Sequence, residues 1–294
     1  MKFLLAISST QYSGPTLKVG ALIAQAFKAE LSVVYVGNKA SQMHGDQVDM
    51  ARDNLSKWNI YHPGLEVLKW ALSELKKVCP DDTGLQAARF NPEYIRQEGN
   101  AVKVILPNSN GCRIELILRE GELIQELRDE LQSEKYDLSI IGGSQGKRKL
   151  AHDLIQFLPS SVFVTRGFRP RKKYKLLLLV DDSEATKRSV RFAAEIAKTE
   201  RWEVRTLTVS KNSRFGPGYT GAAKQAKDYF EKNEIAVEQF FLTGDPVKTF
   251  VDFAGDDHII IMGSSQSHPL LKLLRGSKPI KTLERSTGPI LIVR

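Results

Sequence analysis

The apolar positions of the chain fall into short continuous runs, separated by longer stretches with helical periodicity. The runs 3–7 and 31–36 have the continuity of strands buried in a parallel sheet. Between them, Gly14-Pro15 marks a helix start, because proline is tolerated in the first helical turn. A strand, a helix and a second strand in this order predict a parallel sheet with a right-handed crossover.

The same pattern restarts beyond residue 174. The run 176–180 repeats the first strand, and Asp181-Asp182-Ser183 stands where Ser8-Ser9-Thr10 stands in the first half. Gly244-Asp245-Pro246 predicts a helix with Asp245 as its N-cap. Further strands are predicted at 204–209, 237–242, 258–261 and 290–293, and a further helix at 222–233.

We therefore predict an α/β fold of two tandem doubly wound domains with mostly parallel five-stranded sheets. The first domain spans 1–166, a basic segment with glycine and proline forms a linker at 167–174, and the second domain spans 175–294. A chain of 294 residues suits two domains, since one domain usually takes about 100–200 residues.

The middle of the first domain departs from the repeat. Helix is predicted over 45–78 with a break at His62-Pro63-Gly64, and residues 79–100 lack periodicity. Strands at 101–106 and 112–118 are joined by Pro107-Asn108-Ser109-Asn110-Gly111, which has hairpin chemistry. The domain thus carries an insertion around 79–112. After it, the pattern predicts a helix at 122–134, a strand at 138–141, a short helical piece at 150–157 and a last strand at 162–165.

Composition excludes several classes of protein. The longest apolar runs are far shorter than the ~18 residues of a membrane span, so a soluble cytoplasmic protein is expected. Cys79 and Cys112 lack zinc-ligand spacing and predict no disulfide framework. Up to residue 166 the chain has 20 Lys+Arg against 19 Asp+Glu, whereas the remainder has 23 against 15. The basic second half favours anionic partners, or is simply a basic soluble surface.

One loop in that half has the chemistry of an anion site. Met262-Gly263-Ser264-Ser265-Gln266-Ser267 follows the strand 258–261, and nine residues separate Gln266 from Gly276-Ser277. Backbone N–H groups of such a loop and of the following helix N-terminus bind phosphate. Arg275 and Lys278 flank Gly276-Ser277 and are the preferred phosphate-binding cations among the basic residues nearby, which also include Lys272, Lys281 and Arg285.

Other chemistry has less support in the sequence. No GxxxxGK[ST] or GxGxxG motif follows a strand, which disfavours P-loop enzymes and dinucleotide dehydrogenases. His268 has no acidic partner placed to orient it, and a helix N-cap explains Ser183 and Asp182 better than a nucleophile does. Asp181 is the residue that would approach a nucleotide-bound Mg²⁺, but no direct metal site and no catalytic residue are predicted.

The order of these elements resembles the universal stress protein family, in a tandem two-domain form. The resemblance covers the second domain from its first strand and Asp181 through Gly244-Asp245-Pro246, Ile261-Met262-Gly263-Ser264 and the terminal strand. In the first domain it covers the beginning and the tail 137–166. It implies adenine nucleotide α hydrolase-like domains that associate through their last strands, here 162–165 and 290–293 within one chain.

The resemblance also implies a nucleotide site. ATP-binding members carry G-x2-G-x9-G-[S/T] at the phosphates and an aspartate after the first strand. Gly263, Gly276, Ser277 and Asp181 match, Val209 lies where adenine borders the second strand, and Met262 precedes the loop. Gln266 replaces the middle glycine, so it either obstructs the backbone approach to phosphate or donates its amide to it.

The first domain departs further, and no nucleotide is predicted there. Gly143 and Gly146 retain the opening glycines, but Ser8 replaces the aspartate. Gln156-Phe157 stands where Gly-Ser is required, and Lys147-Arg148-Lys149 fits a solvated loop.

The preferred function is that of a non-enzymatic stress-response or regulatory protein that binds ATP or AMP in its second domain, with Mg²⁺ as an optional companion. Two alternatives stay open: a weak ATP hydrolase, and a ligand-free protein-interaction module with an unknown regulatory partner. Nucleic acid is disfavoured because aromatic residues are not interleaved with the basic ones near the loop. A homodimer of the whole chain would add to the pseudo-dimer within it.

Overall fold

The computed structural model describes residues 1–37, 63–90, 95–98, 101–106, 113–143, 160–212, 214–264 and 277–294. The chain folds into two compact units. The first comprises Met1–Ala24 and Lys28–Tyr136, and the second comprises Gln25–Phe27 and Asp137–Arg294.

The first unit is built on a mixed sheet. Its strands lie in the order β1-β2-β5-β4-β3, and β1, β2 and β5 are parallel while β4 and β3 are antiparallel to their neighbours. Its elements are β1 (Lys2–Ile7), α1 (Gly14–Ala26), β2 (Glu30–Gly37), α2 (Pro63–Val78), α3 (Thr83–Ala87), β3 (Ile95–Glu98), β4 (Ala101–Leu106), β5 (Ile114–Glu120) and α4 (Leu123–Ser133).

The second unit has the strand order β10-β9-β8-β11-β12-β7-β6, in which only the β12–β7 pair is antiparallel. The five strands β8–β12 form the mostly parallel sheet predicted for the second domain. The elements are β6 (Leu138–Ile141), β7 (Ser161–Val164), β8 (Lys175–Leu179), α5 (Glu184–Glu200), β9 (Val204–Ser210), α6 (Pro217–Lys232), β10 (Val237–Thr243), α7 (Pro246–Ala254), β11 (His258–Gly263), α8 (Lys278–Arg285) and β12 (Ile290–Val293).

The strands β7 and β12 pair within the second unit. Ile290 pairs with Val164, and Ile292 pairs with Val162, in an antiparallel register. The two predicted last strands therefore meet within one chain, and residues from Asp137 onward join the second unit rather than the first. In the predicted linker, Phe168 and Tyr174 are buried and stack with ring centroids 4.9 Å apart, so this segment is a packed turn.

The structure corrects some of the predicted helices and strands, and each correction has a simple physical cause. α2 begins at Pro63, at the predicted break, because proline suits a first turn. β3 was not predicted, since Ile-Arg-Gln-Glu has little strand character. β11 continues through Met262 and Gly263, which were predicted to belong to the loop. The predicted helical residues 45–62 and 150–157, and the hairpin turn 107–111, lie outside the described residues.

The buried face of α4 carries acids as well as leucines. Leu127 and Leu131 are buried, but so are Glu126 and Glu130, whereas Leu123 is only half-buried. These acids face cations on the sheet. The Arg119 guanidinium contacts Glu130 at 2.7 Å and Glu126 at 3.2 Å, so α4 is fixed to β5 by charge as well as by apolar contact.

Glu134, at the end of this helix, gives the first unit an acid-sensitive contact. Burial alone raises the pKa of its carboxyl, but hydrogen bonds and charge from Lys103 and Lys2 outweigh burial and hold the pKa below its ordinary value of 4.5. A lowered folded-state pKa contributes stability that is present at neutral pH and is lost as the pH falls through the folded value.

We therefore expect the unfolding free energy to fall more steeply with acidification below about pH 4.5 in the parent chain than in Glu134→Gln. Urea titrations at stepped pH measure this slope. Equal slopes for the two proteins would contradict the assignment to Glu134.

Candidate functional site

A cavity of about 220 Å³ lies at the carboxyl ends of β8, β9 and β11 in the second unit. This is the edge of a parallel sheet at which ligands bind in doubly wound folds. Six of the nine residues predicted for a nucleotide site line it: Asp181, Val209, Met262, Gly263, Ser277 and Lys278. The other three, Gln266, Arg275 and Gly276, lie outside the described residues, as do His268 and Lys272.

Asp181 is held in place by the first turn of α5. Its Oδ1 accepts hydrogen bonds from the Ser183 hydroxyl at 2.6 Å, the Ser183 N–H at 3.1 Å and the Thr186 hydroxyl at 2.8 Å. Ser183 occupies the N-cap position of α5 as predicted, but it makes no side-chain capping bond, because its hydroxyl is donated to Asp181. Within the described structure, Oδ2 of Asp181 accepts no hydrogen bond and is available to a ligand.

This network also determines the charge of Asp181. Burial by itself raises the pKa of the carboxyl, but the donors on Ser183 and Thr186, together with the positive charge of Lys278, lower the pKa below its ordinary value. Asp181 is thus an ionised acceptor at neutral pH, poised to bind a hydroxyl or amino donor.

The opposite wall of the cavity is apolar. Val209 and Met262 come from the strand ends, and Tyr219 and Phe250 come from α6 and α7. Burial, followed by the charges of Asp182 and Asp181, raises the pKa of Tyr219, which therefore keeps its phenolic proton. Sequence reasoning missed Tyr219 and Phe250, because the helices that carry them are brought to the cavity only by the tertiary fold.

The third wall is the N-terminus of α8. Ser277 is its N-cap and makes no side-chain capping bond, and Pro279 stands in the first turn. Among the described residues, the Ser277 hydroxyl has no hydrogen-bond partner. With Lys278 beside it, this helix end combines a hydroxyl, the N–H groups of a first helical turn and a cation, which is the chemistry that binds phosphate.

Gly263 is required by packing. A Cβ at this position would lie 2.6 Å from both the Cβ and the carbonyl carbon of Ala185, and 2.8 Å from its oxygen. β11 thus approaches the first turn of α5 so closely that only glycine fits. The same turn carries Ser183 and Thr186, so Gly263 supports the position of Asp181.

α8 is anchored at its other end by Arg166. This buried side chain donates from Nη1 to the carbonyl oxygens of Leu283 at 3.1 Å and Ser286 at 3.2 Å. A cation there complements the helix C-terminus. The remaining predicted cations lie apart: Lys281 does not line the cavity, and Arg285 is 3.8 Å from Asp245.

The cavity has a larger neighbour. A groove of about 450 Å³ runs between α5 and α6 and shares Asp181 and Ser183 with it. The cavity and the groove therefore meet at Asp181. Within the described ranges, no cluster of three or more metal-ligating side chains occurs, and no helix is long and apolar enough to cross a bilayer.

The corresponding turn of the first unit is built from serines. The Ser13 hydroxyl accepts the N–H groups of Ser8 at 2.9 Å and Ser9 at 3.2 Å, so no carboxylate is presented. A Cβ on Gly143 would lie 2.7 Å from that of Arg166, which gives this glycine a packing role as well. Gly146, Lys147-Arg148-Lys149 and Gln156-Phe157 lie outside the described residues.

Comparison with known proteins finds one family match, which lies in the second half of the chain. Residues 174–294 match the family model described as Universal stress protein family. No curated protein matches the chain.

Solved structures extend the likeness to the whole chain. A universal stress protein from Archaeoglobus fulgidus DSM 4304 is 15% identical, covering 100% of this chain and 96% of its own, with a TM-score of 0.63. A protein of unknown function from Pseudomonas aeruginosa PAO1 is 14% identical, covering 99% and 92%, with a TM-score of 0.59. At such identities these matches show the fold alone.

A shorter universal stress protein from Archaeoglobus fulgidus was solved in complex with dAMP. It is 22% identical over 41% of this chain and 98% of its own, with a TM-score of 0.35. A fit at this level carries no argument about the ligand of this chain.

Proposed function

We propose that residues 174–294, which form a universal stress protein domain, bind an adenine nucleotide, ATP or AMP, in the cavity beside Asp181. One observation carries the proposal: a single cavity is lined by an ionised carboxylate, an apolar wall and an uncapped helix N-terminus with a lysine. A nucleotide has the matching three parts, which are hydroxyl or amino donors, a flat base and phosphate.

In this proposal each wall of the cavity binds a different part of the ligand. The nucleoside lies against Val209, Met262 and Phe250, with its ribose hydroxyls or its adenine amino group donating to Oδ2 of Asp181. The phosphate lies at the N-terminus of α8, where Lys278 and the Ser277 hydroxyl bind it. In this proposal Gln266, Arg275 and Gly276 complete the phosphate loop, and Mg²⁺ accompanies ATP as an optional companion.

The wider role follows from what the cavity provides. Its described lining supplies groups that suit the binding of a nucleotide, and the role we propose is that of a nucleotide-responsive stress or regulatory protein in the cytoplasm. The first domain, residues 1–166, binds no nucleotide, because Ser8 supplies no carboxylate. The second domain, 175–294, is the sensor.

Calorimetric titration of the nucleotide-stripped chain with adenosine, AMP, ATP and GTP tests this function. One saturable site for the adenine nucleotides is expected. Lys278→Met removes the cation at the phosphate, so the affinity for AMP and ATP should fall about tenfold, a loss of roughly 1.4 kcal/mol. The affinity for adenosine, which lacks phosphate, should stay unchanged.

Lys281→Met is the matched control, because Lys281 is an exposed lysine on the same helix that does not line the cavity. It should leave every affinity at the parent value. If both variants lost the same nucleotide affinity, the loss would come from the overall positive charge of the helix. That result would contradict the assigned phosphate position. If no nucleotide binds at all, the interaction-module alternative replaces the sensor.

A further inference from the structure

The two units share one segment of identical design. β5 and β10 are both seven residues long, and each is followed by a glycine with positive φ, Gly121 at +156° and Gly244 at +149°. The next residue is an acid that caps a helix: Glu122 accepts from the Gln125 N–H, and Asp245 accepts from the Lys248 N–H. β5 and β10 are therefore equivalent strands of the repeat.

Their surroundings differ at the outer edge. β4 pairs antiparallel with β5 along its length, from Leu106 opposite Ile114 to Ala101 opposite Arg119. β10 is the terminal strand of its sheet, and in the described part of the chain no strand pairs with its outer edge. Five of the seven residues of β5 are buried and none of β10 is, and the Phe241 side chain is 40% exposed.

The free edge is formed by the backbone of alternate residues. The Gly244 N–H donates inward to the Ser210 oxygen at 2.9 Å, just as the Gly121 N–H donates to the Gly37 oxygen at 3.0 Å. Because N–H and C=O directions alternate along a parallel pair, the groups of Val237, Gln239, Phe241 and Thr243 point away from β9. In β5 the equivalent groups are the ones that bond to β4.

β10 also lacks the usual protection of an exposed edge. Proteins block such edges with lysines, prolines or inward charges. The strand Val-Glu-Gln-Phe-Phe-Leu-Thr has one charged side chain, Glu238, which is neutralised by the Arg205 Nε at 2.8 Å. Phe215 packs edge-on against Phe241 at 5.2 Å and extends the apolar surface beside the edge.

We propose that β10 pairs antiparallel with β10 of a second copy of this chain, forming a two-fold symmetric dimer. The first unit shows that this position of the repeat accepts an antiparallel strand from the chain's own sequence. A two-fold axis supplies a partner strand of the same length and opposite direction. The outward N–H and C=O groups of each strand can then bond to the outward groups of the other. The neutralised Glu238 allows the two strands to meet without charge repulsion.

Sedimentation velocity of the full chain across a concentration series tests the dimer. The mass should rise from the 33.0 kDa of one chain to twice that value. Phe241→Lys places a charge on the edge and should weaken association at least tenfold. Tyr12→Lys is the matched control, since it removes an aromatic residue that is 73% exposed in the first unit, and should associate like the parent chain.

Hydrogen exchange identifies the surface independently. The outward amides of Gln239 and Phe241 should gain protection as the parent concentration rises, and should show no such gain in Phe241→Lys. Circular dichroism identical to the parent establishes that the variant is folded. A parent chain that stays monomeric, or a dimer that Phe241→Lys leaves intact, overturns the proposal.

Discussion

Gly263→Ala is expected to destabilise the second unit by about 1–3 kcal/mol and to weaken adenine-nucleotide binding at least tenfold. The new methyl group would lie 2.6 Å from the carbonyl carbon of Ala185, and backbone cannot rotate away as a flexible side chain can. The first turn of α5 must therefore shift. Because Ser183 and Thr186 belong to this turn, their hydrogen bonds to Asp181 are lost or lengthened.

Urea unfolding measures the first effect and calorimetric titration with AMP measures the second. Gly221→Ala is the matched control: it lies in α6 of the same unit, and a Cβ there meets no atom within 4 Å. That change should stabilise by about 0.4–1 kcal/mol, since alanine suits a helix better than glycine. If Gly263→Ala retained the parent affinity, the position of Asp181 would not depend on this packing.

Local signals in the sequence predict much of this fold. The apolar run 290–293 coincides with β12, and Asp245 caps α7 through the Lys248 N–H, as Gly-Asp-Pro predicts. The hairpin strands and the pairing of the two last strands are confirmed as well. The hairpin and the cap depend on residues close together in sequence, whereas the pairing of the last strands joins distant segments and was predicted from the resemblance. The division into compact units at Asp137 rests on long-range packing, which no local pattern encodes.

For the site too, the sequence predicted some residues, and only the structure shows the contacts that position them. Asp181 was selected by resemblance and Lys278 because it flanks Gly276-Ser277, and the fold brings both to one cavity. The hydroxyls that hold Asp181 belong to the helix turn after it, and the support of α8 by Arg166 spans more than a hundred residues. No local pattern encodes these contacts, because they arise only when strands and helices pack.

Glu130→Ala is expected to cost the first unit about 1–3 kcal/mol of unfolding free energy, because it removes the buried acceptor of Arg119 and Tyr136 and leaves Glu126 alone to face the buried cation. The Glu130 side chain is fully buried and accepts from the Arg119 Nε at 2.9 Å and the Tyr136 hydroxyl at 2.8 Å. Burial alone would lower the pKa of the Arg119 guanidinium, but Glu130 and Glu126 raise it. Burial and the charge of Glu130 also raise the pKa of Tyr136.

Chemical denaturation of three further variants separates the ion pair from simple loss of packing. Asp129→Ala, on the outer side of the same helix, should change stability by no more than about 0.5 kcal/mol. Replacing both partners, as Arg119→Met with Glu130→Ala, should recover part of the loss, since two apolar side chains need no partner. If the double variant were as unstable as the sum of Arg119→Met and Glu130→Ala, the cost would arise from lost volume. A recovered double variant would instead show that α4 needs charge matching with β5, and that its acids are tolerated inside the unit only because Arg119 is there.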